Sequence, residues 1–126
     1  MIRGIVQVFP RLRLHARGSG RRYQAIEAII DTGFDGWVSL PPRLVGHLEL
    51  QLVGEGQGEL ADGSESLFEI YEATIRWHGR AHKIPVYAIG GIPLIGMGLL
   101  DGSELNMKVR PGGEVTIKPL RRRRAR

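Results

Sequence analysis

Asp31, Thr32 and Gly33 are the residues whose types and placing point most directly to chemistry, because they follow the apolar run Ala28-Ile29-Ile30. A strand that is apolar at its end holds a carboxylate at the edge of a rigid core rather than on a mobile loop. A carboxylate fixed in that way can take a proton as a general base or give one as a general acid. The triplet alone is also an ordinary turn sequence, since Asp and Gly are favoured in turns for local hydrogen bonding and φ freedom. On that plainer reading Asp31 is a turn or capping residue, so its context has to decide.

Other chemistries have weaker claims. The chain has no cysteine, which removes thiolate nucleophiles, disulfides and cysteine-bound zinc. His78 and His82 have the i, i+4 spacing of a helical metal pair, but Gly79 lies between them and strand patterns flank them. They read as surface histidines around a hairpin, and no metal site is expected. Gly54, Gly56 and Gly58 lack the lysine and the strand-to-helix context of a phosphate loop. Trp37 and Trp77 read as core or pocket wall.

The elements that must carry Asp31 are short strands. Of the 126 residues, 42% are hydrophobic and 25% charged, enough for one soluble domain, and 18 glycines fall mostly between short apolar runs. The pattern predicts one strand from Ile2 to Ala16, a second from Tyr23 to Ile30 and a third from Trp37 to Leu40 ahead of Pro41-Pro42. Arg43 to Leu48 makes one helical turn. Gln51 to Val53 and Glu59-Leu60 flank the Gly54, Gly56 and Gly58 cluster, which reads as the base of a hairpin; Ala61-Asp62-Gly63-Ser64 is its tip and Leu67 to Trp77 the returning strand. His78-Gly79 turns into a strand ending at Ile89. Met97 to Leu105 is the best helix candidate, weakened by Gly98 and Gly102, and a hairpin through Pro111-Gly112-Gly113 ends the body. Short strands at this spacing argue for an all-β, closed or nearly closed barrel with one short C-terminal helix.

Ile29-Ile30-Asp31-Thr32-Gly33-Phe34-Asp35, a hairpin with Gly63 at its tip, and Pro93-Leu94-Ile95-Gly96 before a helix together resemble the retropepsin-like aspartic peptidases in order and spacing. The resemblance covers residues 1–120 as one such lobe and leaves 121–126 outside it. It implies that Asp31, Thr32 and Gly33 form the catalytic loop, with Thr32 bracing paired loops across a dimer axis. It implies that Ile95 and Gly96 pack beside that loop. It further implies a substrate groove touched by Phe34 and Asp35 and covered by a flap carrying Ala61, Asp62 and Gly63. Asp35 reads as readily as a solvated loop residue before Gly36. One departure stands out: retroviral members usually carry an arginine after the Ile-Gly pair, and here Met97 and Gly98 follow Gly96.

The implied activity is peptide-bond hydrolysis without cofactor. One group must activate water and another must protonate the leaving nitrogen. Two carboxylates held about 3 Å apart cannot both ionise and so share a proton, which serves both ends of the reaction. The chain holds one Asp-Thr-Gly and no Asp-Ser-Gly, so the pair requires a twofold homodimer that brings Asp31 from each protomer to the axis. A catalytically silent peptide-binding or dimerisation module on the same fold is the alternative.

A nucleic-acid partner is the third reading, prompted by a net charge of +5, but five arginines fall in residues 121–126 and residues 1–120 hold 13 Lys+Arg against 13 Asp+Glu. That tail is expected to be solvated and disordered. No run of about 18 apolar residues is present to span a bilayer, and the N-terminus lacks the apolar core of a signal peptide, so no membrane association and a cytoplasmic location are expected.

Overall fold

A computed structural model describes residues 1–59 and 62–121. The strand predicted from Ile2 to Ala16 is two strands, β1 (Ile2–Gln7) and β2 (Phe9–Arg17), folded antiparallel with Gln7 opposite Phe9. Val8 makes the turn at φ 64°. The left-handed region is costly for a β-branched residue, and no Gly or Asn flags the position, so the apolar pattern reads straight through it.

β3 (Gln24–Ile30) and β4 (Val38–Leu40) flank the loop that begins at Asp31, and α1 (Pro42–His47) follows. A proline suits the start of a helix because its missing N–H has no partner there in any case. β5 (Gln51–Glu59) and β6 (Glu65–Trp77) form a long hairpin, with β5 running unbroken through Gly54, Gly56 and Gly58. The glycines that read as the hairpin's base are therefore one face of a strand. His78 and Gly79, at φ 53° and 75°, turn β6 into β7 (Arg80–Ala88) in the doubly left-handed geometry that two-residue hairpin loops favour.

β8 (Leu94–Ile95) leads into α2 (Met97–Leu100). The helix expected to reach Leu105 stops there: Asp101 is extended at ψ 134° and Gly102 at φ 78° redirects the chain into β9 (Ser103–Met107), which pairs with β10 (Glu114–Pro119).

β6, β7, β4, β8, β3 and β2 pair in that order. β2 returns to β6 through Ala16 opposite Ile75 and Arg17 opposite Thr74, which closes a six-strand barrel. β5 extends the sheet outward from β6, and β1, β10 and β9 extend it from β2. Closure follows from period-two alternation. Leu12, Leu14 and Ala16 of β2 and Ile84 and Val86 of β7 point into the core, while Arg13 and His15 stay outside. Each fully buried aliphatic side chain contributes about 1.5–3 kcal/mol. No helix among the described residues is long and apolar enough to cross a membrane.

Candidate active site

β3 delivers Asp31 to the barrel's edge, half-buried, directly after the buried pair Ile29-Ile30. β3 runs parallel to β8, with Ile30 beside Ile95, and the Asp31 N–H donates to the Ile95 carbonyl at 2.9 Å. The segment after β8 then straps the rest of the loop. Gly96 N–H donates to the Trp37 carbonyl (2.9 Å), Met97 N–H to the Phe34 carbonyl (2.7 Å) and Gly98 N–H to the Gly36 carbonyl (3.0 Å). Four backbone bonds thus hold residues 31–37 against residues 95–98.

The close approach explains the glycines. A Cβ on Gly96 would collide with the Gly36 carbonyl and come within 2.6 Å of the Phe34 ring; one on Gly98 would meet the Trp37 ring at 2.6 Å. Ile95 is 0% exposed, the wedge between the loop and the core.

Within the loop the Gly33 N–H donates to Asp31 Oδ1 at 2.9 Å and the Phe34 N–H to the Asp31 carbonyl at 3.1 Å. A Cβ at Gly33 would sit 3.2 Å from Asp31 Oδ1. Thr32 and Asp35 are exposed on the loop and Phe34 is half-buried. The ion pairs among the described residues, Arg3–Glu114 and Lys118–Glu104, both at 3.1 Å, lie in the β1–β10–β9 extension. Met97, where the arginine was missed, is 48% exposed.

Beside Asp31 a cleft of about 510 Å³ runs between the loop and the β5–β6 hairpin, lined by Gly33, Phe34 and Asp35 on one side and Gly58, Glu59 and Phe68 on the other. An aromatic chain spans it: Phe34 meets Tyr87 edge-on at 5.8 Å and Tyr87 meets Phe68 at 4.6 Å. Phe68 and Tyr87 went unnoticed in the sequence reading. Their signal lay in the glycines, because Gly56 is the cross-strand partner of Phe68 and a Cβ there would fall 2.7 Å from its ring. The bare strand is the bed on which that ring lies.

The structure brings Asp31, Gly33, Phe34, Asp35, Ile95 and Gly96 together. Asp62 and Gly63 sit at the exposed hairpin tip, away from the cleft lining, where Ser64 N–H donates to Asp62 Oδ1 at 2.9 Å and Gly63 adopts φ 84°. Hydrogen bonds from the Ser64 hydroxyl and backbone lower the Asp62 carboxyl below its ordinary value. Ala61 lies outside the described residues, as do residues 122–126 of the basic tail.

Of the two histidines considered as a metal pair, His82 is exposed. His78 is half-buried, with Nε2 2.7 Å from Ser103 Oγ and Nδ1 buried without a partner. No cluster of metal-binding side chains occurs among the described residues. Trp77 is buried in the core and Trp37 is 39% exposed over Gly98.

No protein-family model matches the chain, and no curated protein does. Among solved structures, the solution structure of Simian Foamy Virus (mac) protease is similar, with a TM-score of 0.49 and 18% identity over 70% of this chain and 90% of that one.

Proposed function

We propose that the chain is a homodimeric aspartic endopeptidase whose two Asp31 carboxylates, one from each protomer, activate water against a peptide bond. The observation that carries this reading is the placing of Asp31. It is a half-buried carboxylate at the end of a core strand, hydrogen-bonded by Gly33 N–H and braced by the Ile95–Gly98 strap, beside a cleft that its neighbours Gly33, Phe34 and Asp35 line. The sequence resemblance described above supports the same reading.

In the reaction one carboxylate takes a proton from water as its oxygen adds to the carbonyl carbon. The other, protonated, gives its proton to the amide nitrogen as the C–N bond breaks, leaving a carboxyl and an amine. Gly33 N–H holds Asp31 Oδ1 in place during the exchange, and Thr32 braces the paired loops.

Cleavage of a mixed peptide library by the purified chain, lost in Asp31→Asn, tests the proposal. A statine-type inhibitor, whose hydroxyl takes the place of the attacking water, should block turnover, and a chelator should not. Activity lost to a chelator and restored by zinc overturns the mechanism. Peptide binding without turnover in the parent gives the cleft to a silent binding module instead.

A further inference from the structure

The formal neutrality of residues 1–120 conceals a sharp division. Residues 31 to 77, which supply the loop at Asp31, α1 and the β5–β6 hairpin, carry nine of the 13 Asp+Glu and two of the 18 Lys+Arg, a net charge of −7. The rest of residues 1–120 is +7.

The negative charge is gathered around the groove. The 510 Å³ cleft beside Asp31 has an aromatic wall of Phe34, Tyr87 and Phe68, is also lined by Asp35 and Glu59, and includes no Lys, Arg or His. Phe68 also lines a neighbouring cleft of about 480 Å³, in which Glu49, Glu55 and Glu69 stand over an apolar floor that includes Val45 and Leu50. Across the hairpin Glu55 lies opposite Glu69 and Glu59 opposite Glu65. Like charges directly opposite in a sheet destabilise it, and neither pair has an ion-pair partner among the described residues.

Resting on the peptidase reading, we infer that this groove selects peptides with a lysine or arginine close to the scissile bond. Aromatic faces attract a cation and cover its aliphatic stem. A carboxylate at the cleft supplies the charge-assisted hydrogen bond, and a planar guanidinium suits both. A bound cation also relieves the like-charged pairs of the hairpin, which favours basic peptides further. The wider −7 field steers such peptides toward the groove, an effect that salt weakens.

The test uses octapeptides that differ only in one arginine or its neutral isostere citrulline, placed in turn on each side of the scissile bond. Binding is measured to Asp31→Asn by fluorescence anisotropy, and cleavage is measured with the parent. At one or more positions arginine should improve binding by about tenfold, the worth of one charge-assisted bond. The gain should shrink several-fold in the Asp35→Asn, Glu59→Gln double variant and at raised salt. Cleavage that ignores the charge defeats this inference and leaves the peptidase standing. Arginine-selective binding with no cleavage by the parent defeats the peptidase and keeps the selectivity. Equal binding of both peptides at every position, with the preference absent at low salt as well, defeats the inference outright.

Discussion

Asp31 and His78 show how differently a single titratable group can be used. Asp31→Asn keeps the side chain's shape and can still accept the Gly33 N–H through its amide oxygen, so the fold should survive while turnover falls by roughly 10³-fold or more. Two facing carboxylates repel unless a proton lies between them, so the variant should also associate more tightly than the parent, measured by sedimentation beside peptide cleavage. Parent-like cleavage by the variant removes Asp31 from the chemistry. His78 acts on stability. Burial first, then the positive charges of the Met1 ammonium and His82, hold its imidazole below the ordinary value of 6.5. Because the folded state gives up that proton more readily than the unfolded chain, the unfolded chain binds more protons in between. The stability contributed is present above about 6.5 and is lost as pH falls toward the lower folded value. The thermal midpoint of the parent should therefore drop between pH 7.5 and 5.5, and the drop should be smaller in His78→Gln. An identical drop in both shows that another group carries it.

At the scale of elements, the strap through Ile95–Gly98 and the β5–β6 hairpin make separable predictions. Gly96→Ala forces a methyl into the Gly36 carbonyl and the Phe34 ring and should cost about 1–3 kcal/mol in denaturant unfolding. Gly90→Ala, with nothing within 4 Å of the added carbon and no left-handed φ, should cost far less. Gly63→Val places a branched side chain at φ 84° on the hairpin tip and should impair peptide use while leaving the Asp31–Gly33 hydrogen bond intact, read as a fall in kcat/KM with unchanged statine-inhibitor stoichiometry. Much of this architecture was legible beforehand. Apolar patterning read β1 and β2 as strand without the turn between them and placed β3, β6 and β7, and the apolar run before Asp31 together with Ile95-Gly96 marked both halves of the braced loop. What could not be read has physical causes. The turn at Val8 uses a left-handed valine, which no local preference announces. Helical spacing from Met97 onward was ended by one glycine at φ 78°, since a four-residue helix leaves hardly any periodicity to detect. The aromatic wall joins Phe34, Phe68 and Tyr87 from three distant segments, and only the bare glycine face of β5 hinted at it.

For the molecule as a whole, the proposed function gives each protomer half a carboxylate pair and so makes activity a property of assembly. Total activity should fall on dilution faster than linearly below the dimer constant, and full specific activity in a verified monomer would rule the shared pair out. The resemblance places an arginine at Met97 to pair near the Asp35 position and buttress the dimer; with that pair missing or rebuilt, the dimer is expected to be weak and substrate to strengthen it by mass action. The strap also sets when, during synthesis, the loop at Asp31 can first be held in place. Asp31 and the Ile95 carbonyl that fixes its backbone are 64 positions apart, and β8 between the loop and α2 is two residues long. Contacts so distant in sequence form late, after the entropy of closing the intervening chain has been overcome. A chain still emerging from the ribosome therefore displays its Asp-Thr-Gly loop long before residues 95–98 leave the exit tunnel and brace it. On the proposed peptidase reading, the order of synthesis itself postpones the moment at which Asp31 is held ready for chemistry.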